Sequence, residues 1–327
     1  MRTIRRILFA LKEPGAKSLP IVAKAVQLAR GLDARLELFH CIDNPIYSDI
    51  AAPPEQGFQV IEQDWRAGYL QRLESIAAPL RRQGLAVGTS VEWDFPIYEA
   101  IVRRARDLGS DLIVSECHRG RHIVPSLLHL TDWELLQVSP LPVLLVKSVR
   151  QWSRPVILAA VDPSHAFAKP ADLDAEILDA GTAMRKALLG SLHVVYGWVP
   201  PPLGAATSKS IDAATVKRVA ARALTQAQRQ FDRVLRTTEI PRSRRHLIER
   251  HGLDAIQDAV RDTKCSIVVM GAVSRSGLKR IFIGNTAQRL LDTLACDILV
   301  VKPRQFRARV SRNARGVRLI ATQPFNL

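Results

Sequence analysis

Ile7-Leu8-Phe9-Ala10-Leu11-Lys12-Glu13-Pro14 recurs 150 residues later as Ile157-Leu158-Ala159-Ala160-Val161-Asp162-Pro163-Ser164. A short apolar run that stops at polar residues and a proline fits a buried strand leaving its sheet. A second pair follows: Pro142-Val143-Leu144-Leu145-Val146-Lys147 returns, 155 residues on, as Asp297-Ile298-Leu299-Val300-Val301-Lys302. Two halves of about 150 residues therefore share one plan, with their boundary near 148–155. The 327 residues give each half enough chain for its own core.

Within each half, apolar runs rich in Val, Ile and Leu alternate with longer amphipathic stretches, the pattern of parallel strands joined by helices. The first half has expected strands at 7–11, 36–40, 86–92, 111–115 and 143–146, and helices at 19–30, 62–83, 97–108 and 131–138. The second has strands at 156–161, 192–196, 245–249, 266–270 and 298–301, and helices at 172–189, 213–236, 253–263 and 286–294. Gly31, Gly84 and Gly190 stand where helices should end, and Thr131-Asp132-Trp133-Glu134 has the form of a capping box. The fold class is α/β: two tandem open parallel-sheet, Rossmann-like domains, 1–150 and 151–303, followed by a basic tail, 304–327. Pro-, Ala- and Ser-rich loops at 44–59 and 200–211 follow the second strand of each half and are candidate ligand lids.

Composition excludes several classes. With 47% hydrophobic and 24% charged residues the chain is neither collagenous, a disulfide scaffold nor wholly disordered. Four cysteines, Cys41, Cys117, Cys265 and Cys296, lie far apart without a CxxC, so neither a zinc ribbon nor a redox pair is signalled. The apolar run after the basic Met1–Arg6 start is too short for a signal-peptide core, no stretch is long enough to span a membrane, and the expected compartment is the cytoplasm. The formal charge is +16, and six acid-free tail arginines (Arg304, Arg307, Arg309, Arg312, Arg315, Arg318) leave +10 on the rest. That tail is a solvated extension, a strap along the body, or a charge-driven contact for nucleic acid or anionic lipid.

Open parallel sheets bind ligands beyond the carboxyl ends of their strands. In the second half those ends carry Asp162, Gly197 and Gly271, and behind Gly271 a loop runs through Ser274 to Gly284-Asn285-Thr286 before a helix. A strand-end glycine lets backbone amides approach a phosphate, and the helix start adds free amides and a positive dipole. A carboxylate after the first strand can accept hydrogen bonds from an adenine amino group or a ribose. Together these describe a nucleotide cradle.

The same residues carry a resemblance. The chain resembles the universal stress protein family, in particular its tandem-domain, UspE-like members. The family's ATP-binding members, in the adenine nucleotide alpha hydrolase-like fold, carry Gly-x2-Gly-x9-Gly-(Ser/Thr) between the fourth strand and the last helix. Gly271 and Gly284 match it, Ser274 replaces the middle glycine and Asn285 the Ser/Thr. If the middle position needs a positive φ, Ser274 strains the nest by roughly 1–2 kcal/mol. The resemblance implies ATP or a related adenine nucleotide, with Mg2+ as its companion ion, held by Asp162 and Gly197 at the base or ribose and by Gly271, Ser274, Gly284 and Asn285 at the phosphates. It also implies that the two halves pair as a built-in pseudo-dimer through 143–146 and 298–301, and leaves higher assembly, such as a homodimer, open. In the first half Lys12 stands in place of Asp162, Glu116 of Gly271, Arg119 of Ser274, His129 of Gly284 and Leu130 of Asn285, which argues against ATP there.

Blander readings stand beside these. Gly271 and Gly284 fit a plain turn, and Asp162-Pro163-Ser164 fits a helix entry. Glu116-Cys117-His118-Arg119-Gly120-Arg121-His122 with His129 has no established metal spacing, and a solvated loop accounts for it. No Walker motif, nucleophile elbow or His-Glu-x-x-His occurs, so catalysis beyond a weak ATPase is not indicated. The rival from another class is a scaffold or non-nucleotide module for a lipid-like or anionic metabolite, its glycines serving only the turn.

Overall fold

The computed structural model describes residues 3–15, 19–42, 55–117, 130–164, 172–200, 213–272, 293–307, 310–314, 319–323 and 325. The chain forms two compact units, Met1–Ser153 together with Phe306–Leu327, and Arg154–Gln305.

The first unit runs β1 (Arg6–Leu11), α1 (Leu19–Leu32), β2 (Arg35–Ile42), α2 (Glu55–Arg82), β3 (Val87–Trp93), α3 (Ile97–Asp107), β4 (Leu112–Glu116), α4 (Leu130–Val138) and β5 (Val143–Val146). Its parallel strands lie in the order β3-β2-β1-β4-β5. β1 and β5 are apolar and buried almost throughout, as strands covered on both faces must be.

The second unit repeats the plan with β6 (Val156–Ala160), α5 (Leu173–Ala187), β7 (Ser191–Trp198), α6 (Ala213–Leu235), β8 (Arg245–Glu249), α7 (Gly252–Thr263), β9 (Ile267–Gly271) and β10 (Asp297–Val301). Its order is β8-β7-β6-β9-β10. In both units the third strand lies at one edge and the chain then crosses the sheet, so the order reverses between the first and fourth strands. That reversal, β6 against β9, is where a doubly wound sheet opens a crevice.

Several boundaries differ from expectation. α2 begins at Glu55, so residues 55–59 of the supposed lid are helical, as Glu and Gln propensity allows. The rest of both lids, 44–54 and 201–211, lies outside the described residues. α4 begins at Leu130, which places Thr131 inside the helix and Asp132 in its first turn. Of the three glycines expected to end helices, Gly84 takes a left-handed backbone, whereas Asp33 (φ 51°) and Leu189 (φ 51°) take that conformation beside Gly31 and Gly190. Gly190 has a different reason: a Cβ there would lie 2.2 Å from the Pro155 carbonyl oxygen.

The tail adds a strand that was not expected. Leu319–Gln323 form β11, antiparallel to β3 with Leu319 opposite Trp93 and Gln323 opposite Thr89. β11 covers the otherwise unpaired edge of β3. Phe325 follows it, its ring against Gly88 and 5.7 Å from the Arg35 guanidinium. Arg106 donates to the carbonyls of Val310 and Ser311, at 3.3 Å each. Among the described residues this segment is a strap rather than a solvated extension. A β-prone Leu-Ile-Ala-Thr run outweighs the arginines around it.

Candidate functional site

The crevice of the second unit is built at the carboxyl ends of β7, β6 and β9, which carry Gly197, Asp162 and Gly271 in that lateral order. Chain direction alone brings these three to one sheet edge at the switch point. After β6, the Val161 N–H donates to the Val195 carbonyl at 3.0 Å, prolonging the β6–β7 ladder by one residue before the chain turns.

Asp162 is fixed from two sides. Its N–H donates to Asp174 Oδ1 at 3.0 Å, and its Oδ1 accepts from the Ser164 N–H at 3.2 Å and the Ser164 hydroxyl at 2.5 Å. The side chain therefore closes a local Asx turn over Pro163 and Ser164. Ser164 also hydrogen-bonds Tyr196 of β7: burial pushes that phenol up, and the Ser164 bond acts against it. Asp162, Ser164 and Tyr196 thus form a polar chain at the edge. No hydrogen bond reaches Asp162 Oδ2 among the described residues. An oriented carboxylate with an acceptor oxygen to spare suits an amino or hydroxyl donor, and repels phosphate.

Asp174 escaped the sequence reading. It lies in the first turn of α5, 2% exposed, where the helix dipole favours a carboxylate. An acid one turn into the helix after the first strand was the available signal.

Both glycines have close neighbours within their own unit. A Cβ on Gly197 would lie 2.7 Å from Ala255 Cβ, 2.9 Å from Gly252 Cα and 3.0 Å from the Arg250 carbonyl oxygen. One on Gly271 would lie 2.6 Å from Leu173 Cδ2. Gly197 thus lets α7 approach β7, and Gly271 lets α5 approach the end of β9. Ser274, Gly284 and Asn285 lie outside the described residues, as does most of the expected helix at 286–294.

The first unit places different chemistry at the same edge. Lys12 Nζ meets Asp132 Oδ2 at 3.2 Å, with Cys117 at the end of β4 and Lys147 at the end of β5 beside them. Burial drives the Cys117 thiol up to about 12; the Asp132 charge adds to this, and Lys12 and Lys147 oppose it. Cys117 is consequently a neutral thiol, unlike an activated nucleophile. Glu116 ends β4. Arg119, His129 and the remaining His-containing loop lie outside the described residues. No group of three or more metal-ligating side chains occurs among the described residues.

Residues 3–147 and 155–302 each match the model of the universal stress protein family. The chain belongs to the universal stress protein family. It carries two such domains in tandem, which places it among stress-response proteins. The family relatives include Universal stress protein E of Escherichia coli K12, 24% identical over 91% of this chain and 94% of that protein. Another is Universal stress protein E of Photorhabdus laumondii, 24% identical over 91% of this chain and 95% of its own length. Among solved structures, a protein of unknown function from Pseudomonas aeruginosa PAO1 aligns with TM-score 0.70 at 23% identity, over 92% of this chain and 93% of that one. A universal stress protein from Archaeoglobus fulgidus aligns with TM-score 0.59 at 14% identity, over 93% of this chain and all of that one. These likenesses agree on the tandem universal stress protein fold.

Proposed function

We propose that this universal stress protein binds ATP or a related adenine nucleotide in its second unit, as a cytoplasmic regulator without catalytic turnover. The observation that carries the reading is Asp162: a carboxylate pinned by Ser164 and by its own N–H to Asp174, at the end of β6 beside the switch point. Asp162 and the backbone at Gly197 would meet the base or ribose. Gly271, Ser274, Gly284 and Asn285 would supply amides to the phosphates, with Mg2+ arriving on the nucleotide. In the first unit the ion pair Lys12–Asp132 stands at the equivalent edge, which favours a structural or regulatory role for it.

Asp162→Ala tests the reading. ATP should raise the melting temperature of the natural protein and have little effect on the variant, while the unliganded melting points stay close. Equal stabilisation of both proteins by ATP removes Asp162 from the site. A scaffold or non-nucleotide module is favoured by one observation: intramolecular packing alone accounts for Gly197 and Gly271. Mass spectrometry of the small molecule released from denatured protein separates the readings, an adenine nucleotide supporting the first and a lipid-like or other anionic metabolite the second.

A further inference from the structure

The helix that follows the second strand differs in charge between the two units. In the first, α2 carries four acids, Glu55, Glu62, Asp64 and Glu74, against four bases, Arg66, Arg72, Arg81 and Arg82. In the second, α6 carries Lys217, Arg218, Arg222, Arg229 and Arg233 against Asp232 alone. Asp232 is itself engaged: its carboxylate accepts from Gln228 Nε2 at 3.1 Å and lies 3.8 Å from Arg245 Nη1 of β8.

The arginines share one face. At about 100° per residue, Arg218, Arg222, Arg229 and Arg233 fall within about 60° of arc, and all four are exposed. Ala227, Phe231 and Leu235 are buried on the opposite side, where the Phe231 ring lies 5.9 Å from that of Tyr196 on β7. A solvated helix face ordinarily sets acids against bases at i, i+4. Here Arg218 with Arg222, and Arg229 with Arg233, place like charges at that spacing, which works against the helix. Among the described residues, Arg222, Arg229 and Arg233 pair with no acid, and Arg218 donates to the Thr215 hydroxyl at 3.4 Å. Arg236 and Arg242, also exposed, carry the positive charge past the end of the helix.

We propose that this face of α6 binds the phosphodiester backbone of a nucleic acid without reading its bases. From Arg218 to Arg233 the guanidiniums run along about 22 Å of helix, a length over which one strand of a duplex presents about six phosphates. Each bound phosphate relieves the repulsion between neighbouring arginines and releases counterions. The residues between them on that face, Thr225 and Gln226, are polar, and the exposed apolar residues of α6, Val216 and Leu224, lie off it. A face with no apolar side chain has nothing to enter a bilayer, which favours a nucleic acid over a lipid surface. Nucleotide at the switch point is not required for this contact.

The test is fluorescence anisotropy of the full chain with a labelled mixed-sequence DNA duplex of about 20 base pairs, titrated between 50 and 200 mM salt. Three variants accompany the natural protein: Arg222, Arg229 and Arg233 all changed to Gln, the same three changed to Lys, and the tail residues Arg309, Arg312 and Arg315 all changed to Gln. Thermal melts establish that each folds, and the first variant should melt no lower than the natural protein, since it loses like-charge contacts. It should lose duplex affinity roughly tenfold or more, and the slope of log K against log salt should become shallower by about 3. The Lys variant should keep most of the affinity, because a phosphate is met by charge. The tail variant should keep it as well. Vesicles containing phosphatidylserine should bind more weakly than the duplex at the same salt. Absence of duplex binding by the natural protein at 50 mM salt overturns the inference. Unchanged affinity in the first variant, or equal loss in the first and tail variants, also overturns it. Vesicle binding stronger than duplex binding and lost in the first variant assigns the face to a lipid surface instead.

Discussion

Lys12 Nζ stands 3.2 Å from Asp132 Oδ2, closing with a side-chain ion pair the sheet edge that the second unit leaves to Asp162 and the glycines. The two members act oppositely on Cys117, whose thiol burial raises most. Asp132 raises that thiol, whereas Lys12 and Lys147 lower it. Asp132→Asn removes the one resolved charge acting upward and leaves the two acting downward. The titration midpoint of Cys117 should fall from about 12, and iodoacetamide should modify it at least several-fold faster at pH 8.5. Peptide mass spectrometry resolves the cysteines individually, with buried Cys41 and Cys265 as internal references. An unchanged Cys117 rate in the variant refutes this electrostatic account.

Arg103 is a stability determinant. Its guanidinium, fully buried, donates through Nε to Asp94 Oδ2 at 2.8 Å and through Nη1 to Glu99 Oε2 at 2.9 Å. Removing one partner of a buried charge group leaves the others uncompensated, which costs about 3–5 kcal/mol. Arg103→Ala should therefore lower the urea midpoint substantially, and Arg103→Lys should recover only part, since an ammonium cannot fork between two carboxylates. A loss below about 1 kcal/mol would mean that the cluster contributes little.

The parallel sheets were legible because β1, β5, β6 and β10 are continuous apolar runs with a punctuating polar residue, a pattern read from spacing alone. Polar partnerships across the fold were not. Nothing in the chain between Lys12 and Asp132, or in the 31 residues from Cys265 to Cys296, announces that those side chains meet. Cysteines far apart in sequence carried no redox signal, yet the Cys265 and Cys296 thiols are neighbours, and burial together with that contact raises Cys265 well above its usual range. For the tail a strap was among the readings but its strand was not: charge draws the eye to Arg304–Arg318, while β11 depends on the five residues that follow. At the site, the glycines were visible but their packing was not, because a close approach is made by residues of other elements.

His193 Nδ1 lies 3.0 Å from His246 Nε2, with the rings stacked across β7 and β8. Burial lowers both imidazoles below 6.5; the His246 and Arg244 charges add to this for His193, and Asp262 acts upward on His246. A His lowered in the folded state stays neutral while the unfolded chain takes a proton. Stability is therefore fully present above about pH 6.5 and declines as pH falls through it toward the folded values. His193→Gln with His246→Gln should flatten the fall in melting temperature between pH 7 and pH 5. Parallel curves for the two proteins would show that the pair does not set the slope.

Removing residues 319–327 should expose the edge of β3 and take Phe325 from Gly88. An unpaired edge strand invites pairing with another chain. The truncated protein should show a lower denaturation midpoint and concentration-dependent association by light scattering, whereas the full chain does not gain mass over the same range. Identical midpoints and masses would reduce β11 to a passive appendage.

Gly271 and Leu173 offer a way to separate packing from ligand binding at the same position. A Cβ on residue 271 would lie 2.6 Å from Leu173 Cδ2 and 2.8 Å from Cγ, too close without movement of a side chain that is itself fully buried. Gly271→Ala should cost about 1–3 kcal/mol in the unliganded protein. Leu173→Ala alone should cost about 2–5 kcal/mol through the cavity it leaves. If the conflict is local, the double variant loses less than the two singles together, with a coupling of roughly 1 kcal/mol or more. Urea titrations of the four proteins without nucleotide give that coupling directly. Additive losses would place the requirement for glycine elsewhere, in the loop that follows it. A coupled pair whose double variant has recovered stability but binds ATP as weakly as Gly271→Ala would show that this glycine serves the helix contact and the phosphate loop at once.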